Sequence, residues 1–246
     1  MRPLLFALLL TGLLAGCAKK QTPEPEIPKA KAVLVFYKTS GYYHPSIMAG
    51  IEAIKQLGRD NSFRVDTTKL ATRFVPDTLR KYQAVVFLST TGDVLNPAQQ
   101  AAFEAYIRAG GGFMGVHAAT DTEYDWPWYN GLVGAYFNGH PHIQQATVQV
   151  TDNAHPATSF LPARWGRTDE WYNFRSLWPG LRVLATLDES TYAGGNHSPA
   201  PHPIAWCHSY DGGRAFYTAG GHTDESFREP LFQRHLLGGI RYAMGE

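Results

Sequence analysis

The chain has little charge and little cysteine. Charged residues make up 17% of its 246 positions, and Lys+Arg 22 against Asp+Glu 21 leaves a formal net charge of +1. That balance creates no basic field of the kind that gathers nucleic acid, so no nucleic-acid partner is expected. There are two cysteines, and neither a CxxC pair nor an HExxH helix occurs, which removes the commonest zinc signatures. No apolar run reaches the roughly 20 residues that span a bilayer. No heptad, collagen or solenoid period is present either. What remains is 44% hydrophobic and 13% aromatic, too apolar for a disordered chain and long enough for one large folded domain.

The first 16 residues read as a processed leader. Met1-Arg2 supplies a positive end, and Leu4 to Leu14 is an apolar run of eleven residues, the size of a signal-peptide core. Leu14-Ala15-Gly16-Cys17 resembles a bacterial lipobox. That resemblance implies cleavage before Cys17, its lipidation, and a cell-envelope location facing the periplasm or on the outer membrane, with the lipid as the membrane contact. Loss of Arg2 with the leader brings the formal charge to zero, and Cys207 becomes the one free thiol, so no internal disulfide is expected. Residues 17–31 carry three prolines and alternating charges and read as an extended tether. At about 3.1 Å per residue it would reach roughly 40 Å.

From residue 32 to 246 strands and helices alternate. Val33–Tyr37, Ala84–Leu88 and Phe113–Val116 are short continuous apolar runs, as expected of strands buried on both faces. Between them, Ile47, Ile51, Ile54 and Gly58 fall at helical spacing after Pro45. Asn96-Pro97-Ala98-Gln99 has the form of a capping box opening a helix that Gly110 closes. Further strands are expected over Ala146–Val150, Arg182–Leu187, Ile204–His208 and Arg214–Thr218. A final helix is expected over Phe227–Ala243, with Leu231, His235, Gly238 and Tyr242 on one stripe. The order implies one α/β domain: an open, mostly parallel sheet with helices on both faces and an aromatic-rich insertion near residues 120–140.

In such a sheet ligands bind beyond the carboxyl ends of the strands. Those ends carry His44, His117 and His222, together with the hydroxyls of Thr39 and Thr90. Gly115-Val116-His117-Ala118-Ala119 repeats the strand-to-turn pattern of a nucleophile elbow, with histidine where serine or cysteine would stand. An imidazole there can accept a proton or bind a metal but does not form an acyl-enzyme as a thiol does.

Six segments then resemble the ThuA-like (trehalose utilisation) family: Lys38 to Ile47, Gly115 to Trp126, Leu132 to Phe137, Gly139 to Pro141, Asp169 to Phe174 and Gly220 to Thr223. The resemblance implies a fold of the flavodoxin-like, class I glutamine amidotransferase-like group and a role in disaccharide or keto-sugar metabolism. The amidotransferases keep a cysteine at the elbow where this chain has His117, so glutaminase activity is not expected.

The aromatic residues fit a sugar ligand independently of that resemblance. Trp126 and Trp128 adjoin Asp121, Glu123 and Asp125, and Tyr172 follows Asp169 and Glu170. Aromatic faces beside fixed acceptors suit the C–H faces and hydroxyl edges of sugars. Trp126, Trp128, Tyr172, Thr39 and Thr90 are therefore candidate substrate contacts. Alternation in an extended segment puts Asp169 and Glu170 on opposite faces and Glu170 with Tyr172, which favours Glu170 as the acid facing the site; Asp121, Glu123 and Asp125 could share a face. No cofactor follows from the sequence alone, but His117, His140 and His222 would suit a divalent metal such as zinc. The reading is an enzyme acting on a glycoside or its 3-keto form. His117, His222 and His44 would provide general base or metal ligands, and Asp121 or Glu170 the acid. A non-catalytic carbohydrate-binding lipoprotein is the alternative, and an envelope scaffold a third reading.

Overall fold

The computed structural model describes residues 31–198 and 200–246. The leader, Cys17 and the tether up to residue 30 lie outside the described residues. Eleven strands and six α-helices follow in order. They are β1 (Ala32–Phe36), α1 (Ile47–Asp60), β2 (Arg64–Thr68), α2 (Pro76–Leu79), β3 (Ala84–Leu88), α3 (Pro97–Arg108), β4 (Gly112–Val116), α4 (Pro127–Val133) and β5 (Tyr136–Phe137). Then come β6 (Gln144–Val150), β7 (Arg164–Asp169), β8 (Phe174–Arg175), β9 (Arg182–Asp188), β10 (His202–Tyr210), β11 (Gly213–Thr218), α5 (Asp224–Arg228) and α6 (Pro230–Met244).

Nine strands form one sheet in the order β2-β1-β3-β4-β11-β10-β9-β6-β7. From β2 to β11 every neighbouring pair is parallel, and from β11 to β7 every pair is antiparallel. The central strands β1, β3 and β4 are buried along their whole length, as their unbroken apolar runs require. Helices α1, α5 and α6 cover one face, and α3 and α4 the other. The open, mostly parallel sheet with helices on both faces read from the sequence is therefore present, extended on one side by antiparallel strands. None of the helices in the described residues is long and apolar enough to cross a membrane.

Local signals explain most boundaries. Asn96 Oδ1 accepts the Gln99 N–H at 3.0 Å and Gln99 Oε1 accepts the Asn96 N–H at 2.9 Å, so the capping box at the start of α3 is closed in both directions. Ile47, Ile51, Ile54 and Gly58 are all buried on α1. The expected last helix is instead two. Pro230 biases Glu229 toward an extended conformation, which ends α5, and then serves as the first residue of α6. The buried stripe of α6 runs through Phe232, His235, Leu236, Gly239, Ile240 and Ala243, whereas Leu231 and Tyr242 are only partly covered.

Two strands of the large sheet carry no apolar run in the sequence. β2 is an edge strand of sequence RVDTT with no apolar run. β7 alternates buried and exposed positions, but two of its three buried residues are Arg167 and Asp169. β7 runs antiparallel to β6 at the far edge, so its end points to the same rim as the ends of β4 and β11. Trp165 Nε1 donates to Glu229 at 2.7 Å and the Arg167 guanidinium lies 4.4 Å from the Phe232 ring centre, which ties this edge to the start of α6. The curl of the antiparallel strands thereby brings residues 169 and 170 to the rim of the parallel half.

Candidate active site

The turn after β4 places His117. Its φ is +49°, in the left-handed region that a non-glycine residue seldom occupies. The carbonyl of His117 accepts the Tyr217 hydroxyl at 2.7 Å, and a short 3-10 turn over His117–Thr120 follows. The expected elbow is therefore present, held by β11 from beneath. His117 Nδ1 lies 2.8 Å from the carbonyl oxygen of Ala219. A carbonyl can only accept, so Nδ1 carries a proton, and Nε2 is the nitrogen turned toward the other groups of the site.

Residues beyond three other strands meet it. His222 follows β11, Glu170 follows β7, and His44 ends the loop after β1. His117 Nε2 is 3.1 Å from His222 Nδ1. Glu170 Oε2 is 3.0 Å from His222 Nδ1 and 3.6 Å from His117 Nε2. One ligand atom from each of His44, His117, Glu170 and His222 lies within 4.8 Å of the others. Tetrahedral zinc with bonds of about 2.0–2.1 Å sets its ligands roughly 3.3 Å apart, so the three shorter separations have the size of tetrahedron edges. His44 is buried, and its Nδ1 has no hydrogen-bond partner among the described residues. The group could hold a metal ion.

His140 stands differently from its expected place. Its Nδ1 donates to the Pro141 carbonyl at 2.9 Å and also lies 3.1 Å from Glu170 Oε1, so it stands beside the carboxylate while His44 and Glu170 complete the set around His117 and His222. Burial alone would raise the Glu170 carboxyl, but the imidazoles of His117 and His222 outweigh it and hold the group down at about 2. Burial, with His117 and His222 nearby, holds His44 down at about 3, so its ring is neutral at ordinary pH.

The cluster opens into a cleft of about 370 Å³. Asp121 lines it too, with its Oδ1 accepting the Tyr124 hydroxyl at 2.6 Å; burial pushes this carboxyl up. Asp121, Glu123 and Asp125 do not share a face. Glu123 is buried and accepts the N–H groups of Val94 and Leu95 at 2.9 and 2.7 Å, while Asp125 is exposed. Left-handed backbone at Glu123, with φ +56°, breaks the alternation.

The aromatic and hydroxyl candidates separate. Tyr172 lines the cleft. Trp126 and Trp128 do not: they stack on each other, Trp126 Nε1 donating to Glu104 at 3.1 Å and Trp128 Nε1 to Asp211 at 2.9 Å. Their large apolar area covers α3, a use that outcompetes ligand display. Thr39 forms an isolated bridge with Thr91, and the buried Thr90 Oγ1 lies 2.9 Å from Thr122 Oγ1, so both brace loops. Cys207 is buried, and burial raises its thiol, as suits an inert core residue.

The residue that sequence reasoning left without a role is Asp169. It is fully buried, and its carboxylate accepts the N–H groups of Glu170, Gly221 and His222 and the Ser226 hydroxyl at 2.8–3.0 Å. Arg167 approaches it at 3.2 Å. The carboxylate fixes the backbone of two cluster residues at once. Its signal was the alternation of β7, obscured by the polarity of the inward positions.

The sequence matches the family described as "ThuA: Trehalose utilisation" over residues 32–243. Among curated proteins none matches. A ThuA-like protein of Bacteroides uniformis has a similar structure, with TM-score 0.75 at 24% identity over 90% of this chain and 95% of that one. A ThuA-like protein of Parabacteroides merdae gives TM-score 0.73 at 23% identity, covering 89% of this chain and 91% of that one. A β-galactosidase from Bacillus circulans sp. alkalophilus shares the fold over 88% of this chain but 31% of its own, with TM-score 0.57 at 14% identity. The family match runs almost from end to end of the folded region, and the chain belongs to the ThuA, or trehalose utilisation, family.

Proposed function

We propose that the protein is an enzyme of carbohydrate utilisation that acts on a disaccharide, a glycoside or its 3-keto form in the cleft above His117. The observation that carries this reading is the convergence of three imidazoles and one carboxylate, from four separate segments, on a single point open to that cleft. Each of the four groups, two imidazoles and a carboxylate beside His44, offers a ligand atom within 4.8 Å of the others, and His44 Nδ1 has no hydrogen-bond partner among the described residues.

His44, His117, Glu170 and His222 would hold a divalent cation of the zinc type, as His₃–carboxylate donors suit that ion. Such an ion supplies Lewis-acid polarisation of a sugar carbonyl or hydroxyl oxygen. The chain's own groups supply the rest. The Ala219 carbonyl fixes the His117 ring, and the His140 ring stands 3.1 Å from the other oxygen of Glu170. Asp121, on the cleft wall with its carboxyl pushed up by burial, is placed to carry a proton to or from substrate. With a 3-keto sugar the proton to be removed lies on the carbon beside the carbonyl, and the electron pair moves onto the carbonyl oxygen.

The test is turnover of trehalose and of 3-ketotrehalose by the wild type and by His117→Ala, with metal content measured on tag-free protein. Product formation that vanishes in the variant supports the reading. Saturable sugar binding with no product overturns its catalytic part in favour of a carbohydrate-binding protein. We also propose that Cys17 is lipidated and anchors the chain in the cell envelope; labelled fatty acid incorporated by the wild type and lost in Cys17→Ser tests this.

A further inference from the structure

We propose that Tyr42 is the stacking platform on which the sugar ring rests, an inference that depends on the carbohydrate reading above and names the residue that recognises the ring. Pyranose binding calls for an aromatic face that is open to the ligand and held still beforehand. Trp126 and Trp128, the obvious candidates by sequence, are committed to the packing over α3. Tyr172 lines the cleft but is buried, with the His117 ring centre 4.2 Å and the Phe137 ring centre 4.3 Å away. Phe137 is engaged by Tyr172 and by His140 at 5.8 Å. Tyr42 remains, and 61% of it is exposed.

Its exposure is not looseness. The Ser40 N–H donates to the Thr91 carbonyl at 2.7 Å, and Thr91 Oγ1 donates to the Tyr42 carbonyl at 2.9 Å. Ser40 Oγ and Lys38 Nζ each reach a carbonyl of the opposing loop, Asp93 and Val94, at 2.7 Å. The ring itself meets His44 at 4.8 Å with an interplanar angle of 83°, an edge contact that sets it beside the cluster without covering it. A bulky apolar ring left in water on an anchored loop, next to the polar centre, is what a sugar-binding wall requires. The phenol ring would take the C–H face of a pyranose and turn the hydroxyl edges toward Asp121 and the histidines.

Equilibrium binding of trehalose, of 3-ketotrehalose and of glucose to the full chain purified in detergent, with metal content measured in parallel, tests the assignment. Tyr42→Ala is expected to weaken binding about tenfold, the scale of one aromatic stacking contact, with metal content unchanged. Tyr42→Phe and Tyr42→Trp should bind as the wild type does, since each keeps a ring face. Tyr43→Ala, at the neighbouring exposed tyrosine, should leave affinity unaltered. Wild-type affinity in Tyr42→Ala overturns the proposal, as does an equal loss in Tyr42→Phe, which would assign the effect to the hydroxyl. Wild type that binds neither trehalose and glucose nor 3-ketotrehalose overturns the carbohydrate reading itself, and this inference with it.

Discussion

Asp169 and Glu170 are consecutive acids with opposite duties. Asp169 points into the protein and accepts four hydrogen bonds that fix residues 170, 221, 222 and 226. Glu170 points into the cleft and offers Oε2 to His117 and His222. One carboxylate assembles the centre, and the other belongs to it.

Asp169→Asn should therefore damage a site it does not touch. Removing the charge leaves the buried Arg167 with Glu229 as its remaining acid, and the new amide nitrogen faces backbone donors in either orientation, Gly221 in place of Oδ2 or Glu170 and His222 in place of Oδ1. Loss of a buried charge partner costs about 3 kcal/mol. Urea denaturation should show that decrease, and metal affinity should fall because the His222 backbone is no longer fixed.

Metal binding distinguishes ligands from supports. The wild type should hold one divalent ion per chain. Glu170→Gln and His117→Ala should each lower affinity by more than roughly a hundredfold, while His140→Ala should cost roughly 10–100-fold, as removal of an orienting partner does. Titration with zinc against a competing chelator measures all three. Equal losses in His140→Ala and His117→Ala would place His140 among the ligands.

Stability should fall on mild acidification through His235. Its ring is fully buried on α6, Nδ1 donates to the Ala157 carbonyl at 2.9 Å, and burial lowers it from 6.5 to about 4. Between those values the unfolded chain binds the proton and the folded chain does not. The contribution is thus complete above pH 6.5 and is lost as pH falls toward 4, a change of about 3 kcal/mol. His197, lowered to about 4 by burial and His202, acts in the same direction. Denaturation midpoints from pH 7 to pH 4 should drop less steeply in His235→Phe than in the wild type.

Trp126→Ala should separate structure from recognition. The side chain is buried and stacks on Trp128 and Tyr129. Its loss should cost about 3 kcal/mol in folding free energy, while sugar affinity of the folded fraction stays at the wild-type value. Loss of affinity without loss of stability would return this tryptophan to the ligand site.

How much of this was legible depended on which physical signal each element carried. β1, β3 and β4 announce themselves by unbroken apolar runs, and α3 by its capping box. β7 hides because an arginine and an aspartate stand where apolar residues would mark its inner face. His44, His117 and His222 could be placed together because strand ends in a parallel sheet share one rim. Glu170 follows from alternation, but its meeting with them depends on the curl of the antiparallel strands, which pairing over long sequence separations decides. Trp126 and Trp128 misled because composition alone does not tell an aromatic that covers a helix from one that meets a ligand.

The left-handed backbone at residue 117 has one more consequence. Besides the imidazole's bond to the Ala219 carbonyl, contacts to the backbone hold it: the Tyr217 hydroxyl and the two flanking strands. Whatever side chain stands at that position is presented from the same vantage point, so the scaffold can exchange one reactive group for another without being rebuilt.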